Sequence, residues 1–237
     1  MNYSGIAVII PAYNEQKNLR ILLKDIELYL PHALIVVVDD SPAEESLTLS
    51  RMLQHEYPRV ILIARRHKMG RGSAVLRGLA EALKHKEIEY CFEMDADLAH
   101  SPAEFDRFLS IRHDADMVIG SRYLKQSHII KWPLRRLIQS RVINASLNIW
   151  LGLHLTDYTN GFRLYSRKAA EFLLGARLQE TGFIALSEMA YKLKRNGFRI
   201  TEVPISFQDR KYGASNANFK ELLRSLTGAI RIRFQKA

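Results

Sequence analysis

A single cysteine, Cys91, leaves no partner for an internal disulfide in this chain of 237 residues. Its neighbours Tyr90, Phe92 and Met94 predict a buried strand rather than a redox centre, and a reducing compartment fits best. Long apolar runs are lacking as well. No stretch approaches the roughly 18 to 20 uninterrupted apolar residues that a bilayer-crossing helix needs. Met1 to Gly5 lack the charged and apolar regions of a secretory signal, so neither a signal peptide nor a transmembrane helix is expected. Acidic residues are scarce in one half of the chain. Residues 1–118 carry 14 Lys and Arg against 18 Asp and Glu, whereas residues 119–237 carry 21 against 7. The net charge of +10 therefore belongs to the second half. A basic surface of this kind attracts nucleic acid, anionic lipid or phosphorylated substrates alike, so charge alone does not choose among them.

What is present is an alternation of strand-like and helix-like segments, the pattern of a doubly wound α/β sheet. Strands are expected at Ile6 to Ile10, Leu34 to Val38, Val60 to Ala64, Tyr90 to Met94 and Met117 to Gly120. Leu19, Leu22, Leu23, Ile26 and Leu30 recur at helical spacing, as do Ala74, Val75, Leu79, Ala80 and Leu83 after the Gly70–Gly72 turn. Further helices are expected near residues 44–55 and after Pro102. Beyond residue 121 the alternation stops. Pro133 to Leu153 predicts one long helix or two short ones, Gly161 to Tyr165 a strand, Ile184 to Arg195 a helix, Ile200 to Phe207 a strand, and Asn218 to Phe234 a basic amphipathic helix. With no repeat or linker, a single domain with a specialised second half is the economical organisation.

The polar clusters follow the strands: Pro11 to Glu15, Asp39 to Ser41, the Gly70 turn, and Asp95-Ala96-Asp97. In an open parallel sheet the carboxyl ends of the strands share one edge, and ligands bind there. Two readings suit Asp95 and Asp97 on their own. They could hold a hard divalent cation against a diphosphate, or they could be turn aspartates that cap the helix at Pro102.

Taken together, Val8-Ile9-Ile10-Pro11-Ala12-Tyr13-Asn14-Glu15, Val37-Val38-Asp39-Asp40-Ser41, Met94-Asp95-Ala96-Asp97-Leu98 and Gly120-Ser121-Arg122-Tyr123 resemble family 2 glycosyltransferases of the GT-A fold. Trp132 to Asn144, Asp157 to Tyr165, and Val203 to Phe207 through Arg210, Gly213 and Ser215 are similar, more narrowly, to dolichyl-phosphate mannose synthases. The resemblance implies a GT-A type, mostly parallel sheet with helices on both faces. It also implies a division of labour, with residues 1–120 binding a nucleotide sugar and residues 121–237 facing acceptor and membrane. It assigns Pro11, Tyr13, Glu15, Val38 and Asp40 to the nucleoside pocket, Asp95, Ala96 and Asp97 to the diphosphate, and Asp95 and Asp97 to Mg2+ or Mn2+. It sets Arg122, Arg136 and Arg210 around the phosphates of donor and lipid acceptor, with Asp97, Arg122 and Arg136 as the catalytic set. Guanidinium forks suit phosphate because they bind bidentately and keep their charge. The implied reaction is inverting transfer of mannose from GDP-mannose to a polyprenyl (dolichyl-type) phosphate. A related transferase using UDP-glucose and a non-catalytic basic adaptor are the alternatives.

The pattern departs from that family at Ala99, where a glutamine often joins the metal ligands, at the shortened Asp39-Asp40-Ser41-Pro42 segment, and at Asn216, where a lysine is common. The glycine turn is read as mainly conformational, with Lys68 and Arg71 as candidate phosphate contacts. His67 and His100 read as structural. Both tryptophans, Trp132 and Trp150, fall among Lys131, Arg135, Arg136 and Arg141. Periodicity alone suits a core-facing helix, while a lipid substrate suits one lying in the membrane interface with apolar residues on one face and basic residues on the other. The expected location is the cytoplasmic face of a membrane, held peripherally or by an anchoring partner. No recognised nucleic-acid motif accompanies the charge.

Overall fold

The computed structural model describes residues 3, 5–41, 44–180, 182–209 and 219–234, the final segment by its backbone up to residue 226. Three strands form first: β1 (Ile6–Ala12), β2 (Leu34–Asp39) and β3 (Val60–Ala64), linked by helices α1 (Gln16–Tyr29) and α2 (Glu44–Glu56). Helix α3 (Arg71–Ala82) leads to β4 (Tyr90–Glu93); a 3-10 turn at Pro102–Glu104 and helix α4 (Phe105–Ser110) lead to β5 (Met117–Ser121). The second half supplies β6 (His128–Ile130), α5 (Leu134–Leu151), β7 (Arg163–Ser166), α6 (Arg167–Gly175) and α7 (Ala185–Arg195). It closes with β8 (Ile200–Pro204), β9 (Ser206–Gln208) and α8 (Phe219–Phe234).

Seven of these strands form one sheet in the order β3-β2-β1-β4-β7-β5-β8, all parallel except β7. Alternate residues of each strand face opposite layers, as the two-residue period of a strand requires. Ala7 and Ile9 of β1 join Val36, Val38, Cys91 and Ile119 on the layer covered by α3, α5, α6, α7 and α8. Val8 and Ile10 join Val37, Phe92 and Val118 on the layer covered by α1, α2 and α4. Burial on both faces explains why these strands read as nearly continuous apolar runs. Cys91 is among the buried residues, and burial pushes its thiol up to about 12, which agrees with a packing role.

Four details differ from the expectations. Strand β1 continues through Pro11 to Ala12 along β2, beyond its last β4 partner at Ile9, so the missing proline N–H costs that ladder nothing. The expected strand Ile200 to Phe207 is two strands, because β9 leaves the main sheet to pair with β6. Neither β6 nor α6 is apparent from periodicity, although Ser166 caps α6 by accepting a hydrogen bond from the Ala169 N–H at 3.2 Å.

The fourth correction concerns the segment carrying the tryptophans, which forms one helix, α5. Its inward side carries Asn144, Leu147 and Leu151, and Asn144 and Asn148 bind Tyr158. Leu134, Ile138, Val142 and Ile149 lie on one outward stripe and are more than half exposed, flanked by exposed Arg135 and Arg141. The tryptophans do not form that stripe. Trp132 precedes the helix and packs against the core, while the Trp150 indole donates to the Ala229 carbonyl of α8 at 2.9 Å. Among the described residues, no helix is long and apolar enough to cross a membrane.

Candidate active site

Five of the parallel strands, β1, β2, β3, β4 and β5, deliver their carboxyl ends to one edge of the sheet. Asn14, just past β1, takes a left-handed backbone (φ 59°) and donates its N–H to Ser41 Oγ at 2.7 Å, which joins the first two loops. Glu15 then precedes α1, with one carboxylate oxygen 2.5 Å from the Asn18 amide. Tyr13 has Lys68 Nζ 3.9 Å from its ring centroid, a cation–π contact at a residue that the resemblance assigns to the nucleoside pocket. The Val38 and Ala96 side chains are buried in the two cores, so these positions meet the edge through backbone.

The adjacent aspartates of the shortened segment separate cleanly. Asp39 is fully buried and accepts from the Ser41 N–H, the Ser41 hydroxyl and Ser50, so it holds the loop. Asp40 instead meets the Arg65 guanidinium across two hydrogen bonds, 2.5 and 2.7 Å, and accepts from the Met69 N–H at 3.1 Å. Gly70, with φ 90°, makes the left-handed step into α3 that an ordinary residue would resist. Directly after it, Arg71 donates to Asp95 at 2.9 and 2.7 Å and also to Glu93. Burial alone would make Arg71 easier to deprotonate, but Asp95 and Glu93 outweigh it and hold the guanidinium firmly charged.

The turn carrying Asp95 and Asp97 is braced from the second half. Asp97 accepts from the Ala99 N–H at 3.1 Å. His100 is buried, accepts from the Asp95 N–H at 3.2 Å, and meets Asn160 Oδ1 at 2.8 Å. That geometry gives Nδ1 the lone pair and Nε2 the proton, so His100 is structural, as expected of it. Strand β9 adds a stitch, since the Gln208 N–H donates to Ala99 and the Asp209 N–H to Ile130. Phe207 of β9 packs edge-on against both His100 and Trp132.

Arg122, immediately after β5, turns its fork toward Asp157 at 2.7 and 2.8 Å and donates to Thr159 at 2.7 Å. Burial pushes the Asp157 carboxyl up, but Arg122 outweighs it and holds that carboxyl below its ordinary value. Asp95 adds to the field that keeps Arg122 charged, which ties the acidic turn to this arginine. The guanidinium carbons of Arg122 and Arg136 lie 5.4 and 4.1 Å from the Trp132 ring centroid, and Arg136 also pairs with Asp209 at 2.8 Å. The Trp132 indole N–H is buried with no hydrogen-bond partner among the described residues. Arg210, Gly213, Ser215 and Asn216 lie outside the described residues.

The edge thus gathers two accessible carboxylates, an arginine–aromatic cluster and a set of internal counter-charges. A family model described as Glycosyl transferase family 2 matches residues 7–174, which include the Asp95–Asp97 turn, Arg122, Trp132 and Arg136. The chain belongs to this family. Polyprenol monophosphomannose synthase of Mycolicibacterium smegmatis is 34% identical over 236 residues, covering 97% of this chain and 89% of that protein. Undecaprenyl-phosphate mannosyltransferase of Micrococcus luteus is 32% identical over 210 residues, covering 89% and 86%. In fold the chain is similar to glucosyl-3-phosphoglycerate synthase from Mycobacterium tuberculosis. Its complex with phosphoglyceric acid superposes with a TM-score of 0.67 at 16% identity, over 98% of this chain and 81% of that one.

For a family 2 glycosyltransferase, several partners at this edge escape motif reading. Arg65 and Glu93 receive no role from it, and Tyr165 enters it only as the end of the Asp157 to Tyr165 segment. Glu93 left one signal: a carboxylate inside the run Tyr90 to Met94 is costly to bury and implies a partner. Its partners are Arg71 and the Tyr165 hydroxyl, which donates at 2.6 Å.

Proposed function

We propose that this glycosyltransferase moves mannose from a nucleotide diphosphate sugar, GDP-mannose, to the phosphate of a polyprenyl phosphate at a membrane surface. The observation that carries this reading is the single edge on which the Asp95–Asp97 turn faces Arg122 and the Trp132–Arg136 pair. The names of the two mannosyltransferase relatives supply the substrate class. Residues 1–120 then serve the donor and residues 121–237 the acceptor, although one sheet draws strands from both.

Asp95 and Asp97 offer hard carboxylate oxygens, a donor set that fits Mg2+ or Mn2+. Among the described residues no third metal-binding side chain completes a cluster, so diphosphate oxygens and water would fill the shell. Solved complexes of the structurally similar synthase contain Mn2+ or Mg2+ with uridine diphosphate. When bound, such a cation neutralises charge building on the leaving diphosphate. The chain's own residues do the rest. Pro11, Tyr13, Glu15 and Asp40 border the nucleoside, with Lys68 and Arg65 moving aside or sharing contacts with it. Arg122 is held rigid by Asp157, and together with Arg136 it presents donors to the acceptor phosphate, a role the resemblance also gives to Arg210.

A phosphate monoester is largely ionised at neutral pH, its second pKa being near 6, so its oxygen attacks without a general base. The new bond joins that oxygen to the anomeric carbon while the bond to the diphosphate oxygen breaks. The electron pair departs on the nucleoside diphosphate and the anomeric configuration inverts. Alignment and charge neutralisation supply the acceleration.

The exposed stripe on α5 suits a bilayer interface. Ile230 and Phe234 of α8 extend the apolar surface beside Trp150, and exposed arginines lie next to it. The chain would sit peripherally on the cytoplasmic face or be held there by a partner.

The test is transfer of labelled mannose from GDP-mannose into an organic-phase polyprenyl phosphate with Mg2+ or Mn2+, run beside UDP-glucose. Asp97→Ala is expected to lower transfer by about 10² to 10³. Label moving only from UDP-glucose would overturn the sugar assignment, and no transfer from either donor would overturn the enzyme. In a parallel sedimentation with anionic liposomes, Ile138→Asp with Ile149→Asp should weaken binding by roughly tenfold or more; unchanged binding would remove α5 from the interface.

A further inference from the structure

We infer that Arg71 competes with the divalent cation for Asp95, making this a site that binds metal weakly until the donor arrives. The inference rests on the reading of Asp95 and Asp97 as a cation site. Its ground is that Arg71 Nε and Nη2 both donate to Oδ1 of Asp95, at 2.9 and 2.7 Å. A cation that approaches this oxygen meets a fixed positive charge already bonded to it.

Arg71 has little freedom to withdraw. Its third nitrogen donates to Glu93, whose side chain is wholly buried and whose other oxygen accepts from Tyr165. Losing Arg71 would leave a carboxylate uncompensated in the core, so the parent's guanidinium is held between Glu93 and Asp95 unless a steric clash drives it aside. Asp95 itself remains 32% exposed, accessible to an incoming ion.

Gly161 completes the seat. Arg71 Nη2 lies 3.4 Å from its carbonyl oxygen, and a Cβ at Gly161 would overlap the guanidinium. The glycine in the Asp157 to Arg163 segment thus makes room for an arginine 90 positions away. Ala99 brings no ligating side chain to offset the competition.

Repulsion between a double and a single positive charge a few ångströms apart corresponds to about tenfold in affinity even with near-aqueous screening. The experiment measures Mn2+ binding to the nucleotide-free full chain by titration with paramagnetic resonance of the free ion, with circular dichroism and thermal unfolding to confirm the fold. Arg71→Gln removes the charge; Gly161→Ala keeps it but displaces it. Each is expected to bind Mn2+ about tenfold more tightly than the parent, and Asp97→Asn to bind less. Should the parent bind too weakly to quantify, measurable binding by Gly161→Ala supports the inference. If Arg71→Gln does not fold, Gly161→Ala carries the test alone. Arg71→Gln or Gly161→Ala proteins that fold and bind no better than the parent, with Asp97→Asn impaired, overturn the role of Arg71 and leave the cation site standing. Where the parent binds measurably, Asp97→Asn binding like it overturns the cation site itself; where it does not, Asp97→Asn added to Gly161→Ala and binding like Gly161→Ala alone does so.

Discussion

Arg122 and Arg136 both lie over the ring of Trp132, and each has an aspartate partner, yet the two pairs sit in different solvents. The side chains of Arg122 and Asp157 are 8% and 0% exposed, whereas those of Arg136 and Asp209 are 35% and 31% exposed. Asp157 also binds the backbone of Arg122, Thr159 and Asn160, so the first pair is one node of a buried network. The second is a partly exposed pair just past β9. One arginine is therefore part of the architecture, and the other is held by a bond that water can reach. Under the proposed function, the acceptor phosphate would meet a fixed donor in Arg122 and an adaptable one in Arg136.

Substitution should separate these roles. Asp157→Ala strands the buried Arg122 charge and is expected to lower stability by about 3–5 kcal/mol in denaturant unfolding; a loss below 1 kcal/mol would erase the contrast. Arg136→Ala, removing the exposed partner, should change stability by at most about 1 kcal/mol while lowering transfer roughly 10- to 100-fold through loss of a phosphate donor. Unfolding comparable to that of Asp157→Ala would show that Arg136 is structural too.

The smallest effect is on pH dependence. The folded Asp157 carboxyl is held below its ordinary 3.8, so the unfolded chain binds more protons near that value. Its stabilisation is present above the ordinary value and is lost as pH falls through the depressed folded one. Asp157→Asn should flatten this acid limb of the stability curve, and an unchanged limb would place the acid sensitivity elsewhere.

Legibility in the sequence followed the same division. The parallel strands of the first half declared themselves because burial on both faces makes them apolar runs closed by polar turns, and Asp95 and Asp97 stood out at the end of one. Arg122 and Arg136 were found through their motif neighbourhood. The ion pairs were harder to see, since Arg122–Asp157, Arg136–Asp209, Asp40–Arg65 and Asp95–Arg71 span 35, 73, 25 and 24 positions. Pairing at that range is set by tertiary packing and leaves no local period. Strands β6 and β9, three residues each, are too short to show alternation. Outward Leu134 and Ile149 on α5 could not be told from core residues, because a helix whose inward side carries Asn144 and Asn148 inverts the usual polarity.

The reversed direction of β7 has a consequence for how such enzymes diversify. Because β7 runs against its neighbours β4 and β5, the segment that enters it, residues 152–162, arrives at the ligand edge, whereas any segment leaving it goes to the far side. Lengthening or rewriting that entrance would alter what a ligand at that edge encounters without shifting the register of the six parallel strands. Such a change is limited by the small residue under the guanidinium at position 161, by the acid that anchors Arg122, and by Tyr158 and Asn160, which tie the entrance to α5 and to His100.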